Sequence, residues 1–375
     1  MINIVAKKDC CGCTACYSGC PKQCISMTED SEGCLYPKVD LSACIDCGLC
    51  EKVCPVLSQG EPRMPLEVLA AKSKNEVQRL NSSSGGIFSL LAEWIIRQGG
   101  VIFGARFDEN WDVIHECTDT IEGLAPFRGS KYVQSNMRDC FSQAKKHLQD
   151  GKWVLFSGTS CQIAGLKNYL RKDYEKLLTV DVICHGAPVP QAWRDYLKEV
   201  NDGKGISAIA FRDKSNGWQN YTFELRSKSV SIKEPFYNTP FMQGFLTNLY
   251  LRPSCYSCPA KGGRCGSDIT LGDFWGINNY HPEINDDKGI SAVLAYTEKG
   301  KRILKQLEID CIPSNYESVL AGNPSLERSV AMHVKRELFF NSQGSFSKRL
   351  EKCFKQPLTT RLKRMIASML PQSIK

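Results

Sequence analysis

Cysteine supplies most of the chemistry that this sequence offers. Two runs share one spacing, with three cysteines two residues apart and a fourth that follows after three residues and precedes a proline. The second run begins 34 residues after the first, and the eight positions are Cys10, Cys13, Cys16, Cys20, Cys44, Cys47, Cys50 and Cys54. Three thiolates at this spacing wrap one face of a 4Fe–4S cubane through a tight turn, and the fourth thiolate reaches a second cluster. The tandem repeat therefore predicts two clusters.

The ligands of these two clusters are expected to cross over between the runs. The first cluster is predicted to take Cys10, Cys13, Cys16 and Cys54. The second is predicted to take Cys44, Cys47, Cys50 and Cys20. A zinc site is the alternative, but zinc takes four ligands that usually come as two separated pairs, so this pattern favours clusters. Three further cysteines fall outside the pattern and are interpreted as small buried residues: Cys11, Cys24 and Cys34.

Composition agrees with a metal-binding use of cysteine. The chain has 375 residues, enough for two or three domains, and 20 cysteines, eleven of which precede residue 55. The N-terminus lacks the apolar segment of a secretion signal, and no stretch is apolar enough to predict a transmembrane helix. We therefore expect a cytoplasmic protein whose thiols bind metal instead of forming disulfides.

The formal net charge of +8 does not predict a nucleic-acid partner. A 4Fe–4S core with its four thiolates adds about −2, so three clusters would cancel about six of these charges. The sequence predicts an α+β protein in which a two-cluster ferredoxin-like module is followed by an α/β domain with a mixed sheet. The expected domains are 1–57, 66–310 and a helical C-terminal region with a basic tail over 311–375.

Short β-rich runs alternate with amphipathic helices between residues 66 and 300. The strands are predicted near 68–73, 101–107, 153–157, 177–184, 206–212, 221–226, 269–271 and 290–296. Helices are predicted near 86–98 and 137–149, after Pro190, and in the segment that begins at Cys161. The loop 81–86 (NSSSGG) precedes the first of these helices, so its amides form either a phosphate cradle or only a polar cap.

Five of the seven cysteines between residues 66 and 300 are candidates for a further site. Cys161 lies in the first turn of the predicted helix after one strand, Cys184 ends another predicted strand, and Cys255, Cys258 and Cys265 cluster further along the chain. Spacing alone leaves two interpretations open, a third metal site or separate buried cysteines.

A family resemblance extends over residues 66–300. It rests on five segments in this order: SSSGGIFSLL, GSKYVQSN, VLFSGTSCQIAGL, VDVICHGAP and CYSCPAKGGRCGSDITLGDFWG. They resemble the family of the coenzyme F420-reducing hydrogenase beta subunit, which includes F420-dependent dehydrogenase beta subunits and 7-hydroxymethyl chlorophyll reductase. The resemblance implies FAD beside one 4Fe–4S cluster, with Cys161, Cys184, Cys255 and Cys258 as ligands and Cys265 as a competing fourth ligand. It also implies flavin contacts from Ser84, Gly85, Gly86 and Lys131.

The combined interpretation is an iron–sulfur flavoprotein oxidoreductase, because FAD converts the one-electron steps of clusters into two-electron chemistry. His185 is a candidate proton donor or a histidine that is only hydrogen-bonded in a turn. Expected partners are a redox protein such as ferredoxin and a small-molecule substrate, as in bacterial relatives associated with polysaccharide biosynthesis. The alternative is a non-catalytic electron-carrier subunit. The basic segment 346–375 either packs on its own domain or makes peripheral contact with a membrane surface or a partner.

Substitution of one repeat cysteine tests the predicted ligands. Cys13→Ser should lower the iron content by about four per chain, because a cubane that lacks one thiolate is not retained. Bound flavin should persist, since its predicted site is in another domain. The measurement is iron and labile sulfide in anaerobically purified protein, and an unchanged iron content would contradict the ligand assignment.

Overall fold

The computed structural model describes residues 1–201 and 205–354, so the part of the predicted basic tail after residue 354 lies outside the described residues. The strands are β1 Ile25–Glu29, β2 Leu35–Val39, β3 Glu67–Ser73, β4 Val101–Phe107, β5 Val113–Thr118, β6 Val154–Thr159, β7 Leu177–Val182, β8 Ile206–Asp213, β9 Thr222–Ser227, β10 Ser231–Pro235, β11 Ile269–Asp273, β12 Ser291–Ala295 and β13 Ile309–Pro313. The helices are α1 Ala15–Gly19, α2 Leu49–Lys52, α3 Glu76–Leu80, α4 Ile87–Arg97, α5 Cys140–Gln149, α6 Ser160–Leu170, α7 Pro190–Asn201, α8 Pro240–Leu246, α9 Glu298–Leu304, α10 Tyr316–Gly322, α11 Arg336–Asn341 and α12 Phe346–Phe354.

The N-terminal segment is built from one antiparallel hairpin, β1–β2, and two short helices. Each cysteine run turns into its helix through a residue with left-handed backbone, Thr14 before α1 and Gly48 before α2. Gly12 also has a positive φ of 69°, which the tight turn of the first run requires. The repeat in the sequence is therefore a repeat of local structure.

A mixed sheet of eight strands forms the centre of the rest of the chain, as the sequence predicted. Its order is β13-β3-β12-β11-β7-β6-β4-β5. The four inner strands β11, β7, β6 and β4 are parallel neighbours, and the strands flanking them are antiparallel. The C-terminal ends of β3, β4, β6, β7 and β11 therefore lie along one side of the sheet, which we call the carboxyl edge.

Three strands of this domain were not predicted: β5, β10 and β13. Each pairs antiparallel with a single neighbouring strand and lies at the border of its sheet. Strand β13 pairs with β3 from Ile309↔Ser73 to Pro313↔Leu69, so the expected domain boundary between 310 and 311 falls inside a strand of the large sheet.

A second sheet of three strands, β10-β9-β8, packs on an aromatic core together with α7, α8 and α12. Trp193, Phe211, Phe223, Phe241 and Phe346 are buried in this core. Helix α12, the first part of the predicted basic tail, buries one face here, so it packs on its own domain. Among the described residues, no helix is long and apolar enough to cross a membrane.

A buried ion pair attaches the N-terminal segment to the C-terminal region. Arg336 Nη1 and Nη2 donate to the two Glu32 carboxylate oxygens at 3.1 and 2.5 Å, and both side chains are about nine-tenths buried. Arg336 Nη2 also donates to the Leu251 carbonyl at 3.0 Å, and the Gln191 amide donates to the Glu32 carbonyl at 3.0 Å. These contacts fix the hairpin loop of the N-terminal segment against α7 and α11.

Removal of the Glu32 charge should destabilise this attachment. Glu32→Gln leaves the Arg336 guanidinium buried without an anionic partner, which costs about 3–5 kcal/mol of unfolding free energy. The measurement is the urea midpoint at unchanged slope. Glu308→Gln, which breaks an exposed pair with Lys74, is the matched control and should change the midpoint little. Equal midpoints for the two variants would show that the buried pair does not stabilise the attachment.

Candidate functional site

Two cavities in the N-terminal segment are lined by the two predicted ligand sets. The outer cavity is lined by Cys20, Cys44, Cys47 and Cys50. The inner cavity is lined by Cys10, Cys13, Cys16 and Cys54. In each case the fourth cysteine comes from the other run, as the crossed assignment requires. Burial, and then the neighbouring thiols of Cys10 and Cys54, raise the pKa of Cys16 to about 12.

Each cavity also has a fifth cysteine that was interpreted as a small buried residue. Cys24 lines the outer cavity with its Sγ 3.4 Å from that of Cys20, and Cys11 lines the inner cavity. Cys34 is buried in the aromatic core. Within residues 1–201 and 205–354, no three His, Cys, Asp or Glu side chains are close enough together to hold a single metal ion.

A third cysteine set meets at the carboxyl edge of the large sheet. Strands β6 and β7 are parallel, with Thr159 opposite Val182, so Cys161 and Cys184 each lie two residues beyond a paired position. The Ala187 amide donates to Cys255 Sγ at 3.4 Å, and Lys261 Nζ donates to the Cys184 carbonyl at 2.6 Å. These bonds bring the segment from 255 to 261 against the turn after β7.

The four thiols of this set influence one another. Burial, and then the thiols of Cys255, Cys161 and Cys258 against the opposing charge of Lys261, raise the pKa of Cys184. Burial and Cys161 raise the pKa of Cys258 to about 11. Such thiols stay protonated at neutral pH, so metal binding there would release protons.

Cys265 lies apart from this set in its interactions. It is 3% exposed, and its Sγ donates to Ser267 Oγ at 3.4 Å. Burial and the nearby Asp181 carboxylate raise its pKa. The choice of the fourth ligand of a third cluster, which the resemblance left open between Cys265 and the other four cysteines, stays a prediction.

The inner cavity and the third set are adjacent. The Cys11 thiol interacts with the thiols of both Cys13 and Cys161. Helix α6 carries Cys161 in its first turn and Gly165 one turn later, and a Cβ atom at Gly165 would lie 2.8 Å from Cys13 Sγ. A glycine is therefore needed where the helix meets the inner cavity. Cys11, interpreted from the sequence as a small buried residue, connects two cysteine sets.

Arg252 is the second connection, and the sequence analysis missed it. Its side chain is 1% exposed and donates to the Cys10 carbonyl (2.8 Å), Gln134 Oε1 (2.8 Å) and the Leu35 carbonyl (2.9 Å). The backbone of Arg252 accepts a bond from the Cys255 amide at 2.9 Å. The one available sequence signal was an arginine three residues before Cys255.

The predicted flavin loop is tightly packed against the sheet. Ser84 Oγ donates to the Ile290 carbonyl at 2.9 Å, and the Gly85 amide donates to Ser291 Oγ at 3.0 Å. A Cβ atom at Gly85 would lie 2.3 Å from the Ala71 carbonyl oxygen, so backbone packing alone demands glycine there. Gly86 (φ 88°) is the N-cap residue of α4, and having no side chain it makes no side-chain hydrogen bond to the first turn of the helix.

The two predicted flavin segments touch each other. The Ser130 amide and hydroxyl both donate to Ser83 Oγ, at 2.7 and 2.9 Å. Lys131 Nζ donates to the carbonyls of Pro126 and Arg128 at 2.7 and 2.9 Å, and burial lowers its pKa to about 7. Ser84, Gly85, Gly86 and Lys131 are thus in neighbouring loops, and their contact with flavin stays a prediction.

Two buried cations, Arg212 and Lys214, lie at the end of β8 and directly after it, and Lys214 supports the same loop. Lys214 Nζ donates to the carbonyls of Arg79 (2.7 Å) and Ser84 (3.0 Å). Burial, and then the nearby arginines, lower the pKa of Lys214 to about 7. Arg212 is paired with Asp273 and lies 4.6 Å from the Tyr221 ring centre. Phe211, Arg212, Lys214 and Trp218 are buried, whereas residues 215 and 216 between them are exposed.

His185 has a hydrogen-bond partner of its own. Its Nε2 lies 2.6 Å from Asn248 Oδ1, and its ring packs edge-on to Phe245 at 5.3 Å. This geometry agrees with a histidine held in a turn, and a proton-donating role stays a prediction.

Two parts of the chain match known protein families. Residues 9–57 match the 4Fe-4S dicluster domain, and residues 151–312 match the C terminus of the coenzyme F420 hydrogenase/dehydrogenase beta subunit. An F(420)H(2) dehydrogenase subunit of Methanosarcina mazei is 23% identical over 199 residues, which are 48% of this chain and 55% of that protein. The chain thus matches about half the length of this relative.

Two other similarities accompany these. An uncharacterized protein in the rpl9-rpl11 intergenic region of Porphyra purpurea is 31% identical over 70 residues, 17% of this chain and 93% of that protein. A chain of the F420-reducing [NiFe] hydrogenase complex from Methanosarcina barkeri superimposes with a TM-score of 0.47 and 14% identity, over 81% of this chain and 93% of that chain. The chain therefore joins a 4Fe–4S dicluster domain to a domain of the family of coenzyme F420 hydrogenase/dehydrogenase beta subunits, and it is an iron–sulfur electron-transfer protein related to those subunits.

Proposed function

We propose that this protein is an iron–sulfur flavoprotein oxidoreductase in which three 4Fe–4S clusters deliver electrons to FAD. The observation that carries this proposal is the adjacency of the inner cavity to the third cysteine set through Cys11 and Cys161. A series of clusters transfers single electrons, and FAD combines two of them for an organic substrate. The predicted ligands of the third cluster are Cys161, Cys184, Cys255 and Cys258.

The exposure of the cysteines supports an order in which electrons pass through the clusters. Cys47 of the outer cavity is exposed, whereas Cys10, Cys11 and Cys13 at the inner cavity are buried. A redox partner such as ferredoxin would then exchange electrons at the outer cluster. The inner cluster would stand between it and the third cluster, inside the protein.

The proposed flavin site is at the carboxyl edge, where loops 82–86 and 129–131 meet beside α4. The N-terminus of α4 and the Lys131 ammonium both favour a negatively charged group, and the FAD pyrophosphate is such a group. The third cysteine set follows strands β6 and β7 on the same edge. Ser84, Gly85, Gly86 and Lys131 are proposed to line this flavin, and His185 is a candidate proton donor beside it.

The substrate class is proposed from the relatives. A similar protein, the F(420)H(2) dehydrogenase subunit, is named for coenzyme F420, a deazaflavin, and such a molecule is one candidate. A small oxidised metabolite in polysaccharide biosynthesis is the candidate that the sequence analysis favours. A non-catalytic carrier subunit is the alternative, and a protein that purifies with three clusters and without flavin would favour it.

Iron content tests the third cluster. Cys161→Ala, Cys184→Ala and Cys258→Ala should each lower iron from about twelve to about eight per chain, because each removes one ligand of the same cubane. Flavin reduction by dithionite-reduced clusters should slow in all three variants. Cys140→Ala and Cys353→Ala, which truncate buried cysteines elsewhere, should keep both properties. A loss of iron in Cys265→Ala but not in Cys161→Ala would move the fourth ligand to Cys265.

The pH dependence of flavin binding tests Lys131. Its pKa of about 7 means that the ammonium is charged at about pH 6 and neutral at about pH 9. FAD affinity of the flavin-depleted protein, measured by fluorescence quenching, should therefore fall as the pH rises between these values. Lys131→Gln should bind roughly tenfold more weakly at the lower pH and lose the slope, since a hydrogen bond to a charged group contributes about 1.5–3 kcal/mol.

Lys228→Gln is the matched control, because Lys228 is exposed in the turn between β9 and β10. It should keep both the affinity and the slope. An unchanged slope in Lys131→Gln would mean that Lys131 only binds the carbonyls of its own loop. Gly85→Asp is not a useful test, since its side chain would collide with the Ala71 carbonyl and disrupt the loop.

A further inference from the structure

Arg252 is a buried charge without an anionic partner. It is 1% exposed, and its three hydrogen bonds go to two carbonyls and the Gln134 amide oxygen. No carboxylate of the described residues lies within 4.0 Å of its guanidinium. Its other close neighbour is the Tyr36 ring, 4.5 Å from the guanidinium carbon. Buried charges in proteins are normally paired, so this guanidinium calls for a negative group that residues 1–201 and 205–354 do not supply.

The surroundings of Arg252 identify where that negative charge would be. Its Nε donates to the Cys10 carbonyl at 2.8 Å, and a Cβ atom at Gly12, which lines the inner cavity, would lie 2.7 Å from its Nη1. On the side of the third set, its carbonyl accepts a bond from the Cys255 amide at 2.9 Å, and its charge also acts on the thiols of Cys161 and Cys255. Arg252 therefore stands between the two sets of predicted ligands.

We propose that Arg252 is the shared counter-ion of the inner and third clusters and raises the reduction potential of both. This proposal rests on the proposed function, since it requires clusters at these two places. A cluster with four thiolates carries about −2, and one added electron makes it about −3, with no proton or leaving group involved. A fixed buried cation stabilises the more negative, reduced form, and the low polarity of the interior strengthens the effect.

Lys261 is a second buried cation, and it interacts with a different group of thiols. It is 9% exposed, donates to the carbonyls of Cys184 and Ser325 at 2.6 Å each, and acts on the thiols of Cys184 and Cys258. Among the predicted cluster ligands, it therefore interacts with those of the third set. Arg194 is the matched control. It is also an arginine that contacts the N-terminal segment, but its charge is already paired with the carboxylates of Glu29 and Asp112.

The experiment is a redox titration of the whole protein followed by EPR, with iron counted in every sample. In Arg252→Gln, the ratio of reduced to oxidised cluster at a given potential should fall about tenfold for two clusters. Each of the two midpoint potentials should therefore fall by about 59 mV, the value for a one-electron couple. In Lys261→Gln, one of those two should fall, and in Arg194→Gln none should move. Full iron with unchanged midpoints in Arg252→Gln would overturn the proposal.

A second variant covers the case in which Arg252→Gln loses iron. Arg252→Lys keeps the charge but cannot make the three-way fork of hydrogen bonds. If the charge of Arg252 is what matters, Arg252→Lys should restore the iron content. If only its three hydrogen bonds matter, Arg252→Lys should lose iron as Arg252→Gln does. If the wild-type protein holds only about eight irons, the third cluster of the proposed function fails. Arg252→Gln should then still shift one midpoint, and Lys261→Gln should shift none.

Discussion

The burial of Arg252 is the constraint on which the arrangement of the cysteine sets depends. A guanidinium taken out of water must keep its hydrogen bonds, and those of Arg252 go to the Cys10 loop, to hairpin residue Leu35 and to Gln134. Gln134 in turn donates to the Cys11 carbonyl at 3.1 Å. One buried side chain therefore fixes the first cysteine run relative to the turn that carries Cys255.

The large sheet performs the corresponding task for the third set. Its inner strands are parallel, so the residues after β6 and β7 emerge side by side and bring Cys161 and Cys184 together. The capping box of α6, in which the Thr159 amide donates to Gln162 Oε1 at 2.9 Å, fixes the first turn of the helix that bears Cys161. The same helix reaches the inner cavity at Gly165, so one element spans from the sheet to the N-terminal segment.

Buried and half-buried cations recur along the carboxyl edge. Lys131 and Lys214 hold backbone carbonyls around the Ser82–Gly86 loop, and Lys261 and Arg252 border the third cysteine set. Each loses solvation on burial, which is tolerable because carbonyl oxygens accept its hydrogen bonds. An edge that concentrates positive charge in a dry region suits anionic groups, such as thiolate-bound clusters and a pyrophosphate.

The sequence by itself determined the features that are set locally: the two cysteine runs, the dicluster domain, most inner strands and helix α6 after β6. Their signals are spacing and periodicity within a few residues. The tertiary structure decided the rest. Strands β5, β10 and β13 are short and border their sheets, so pairing and not propensity defines them. Cys11 and Arg252 look like an unassigned cysteine and an ordinary arginine in the sequence. Their role follows from contacts between residues up to 242 positions apart, which no local pattern encodes.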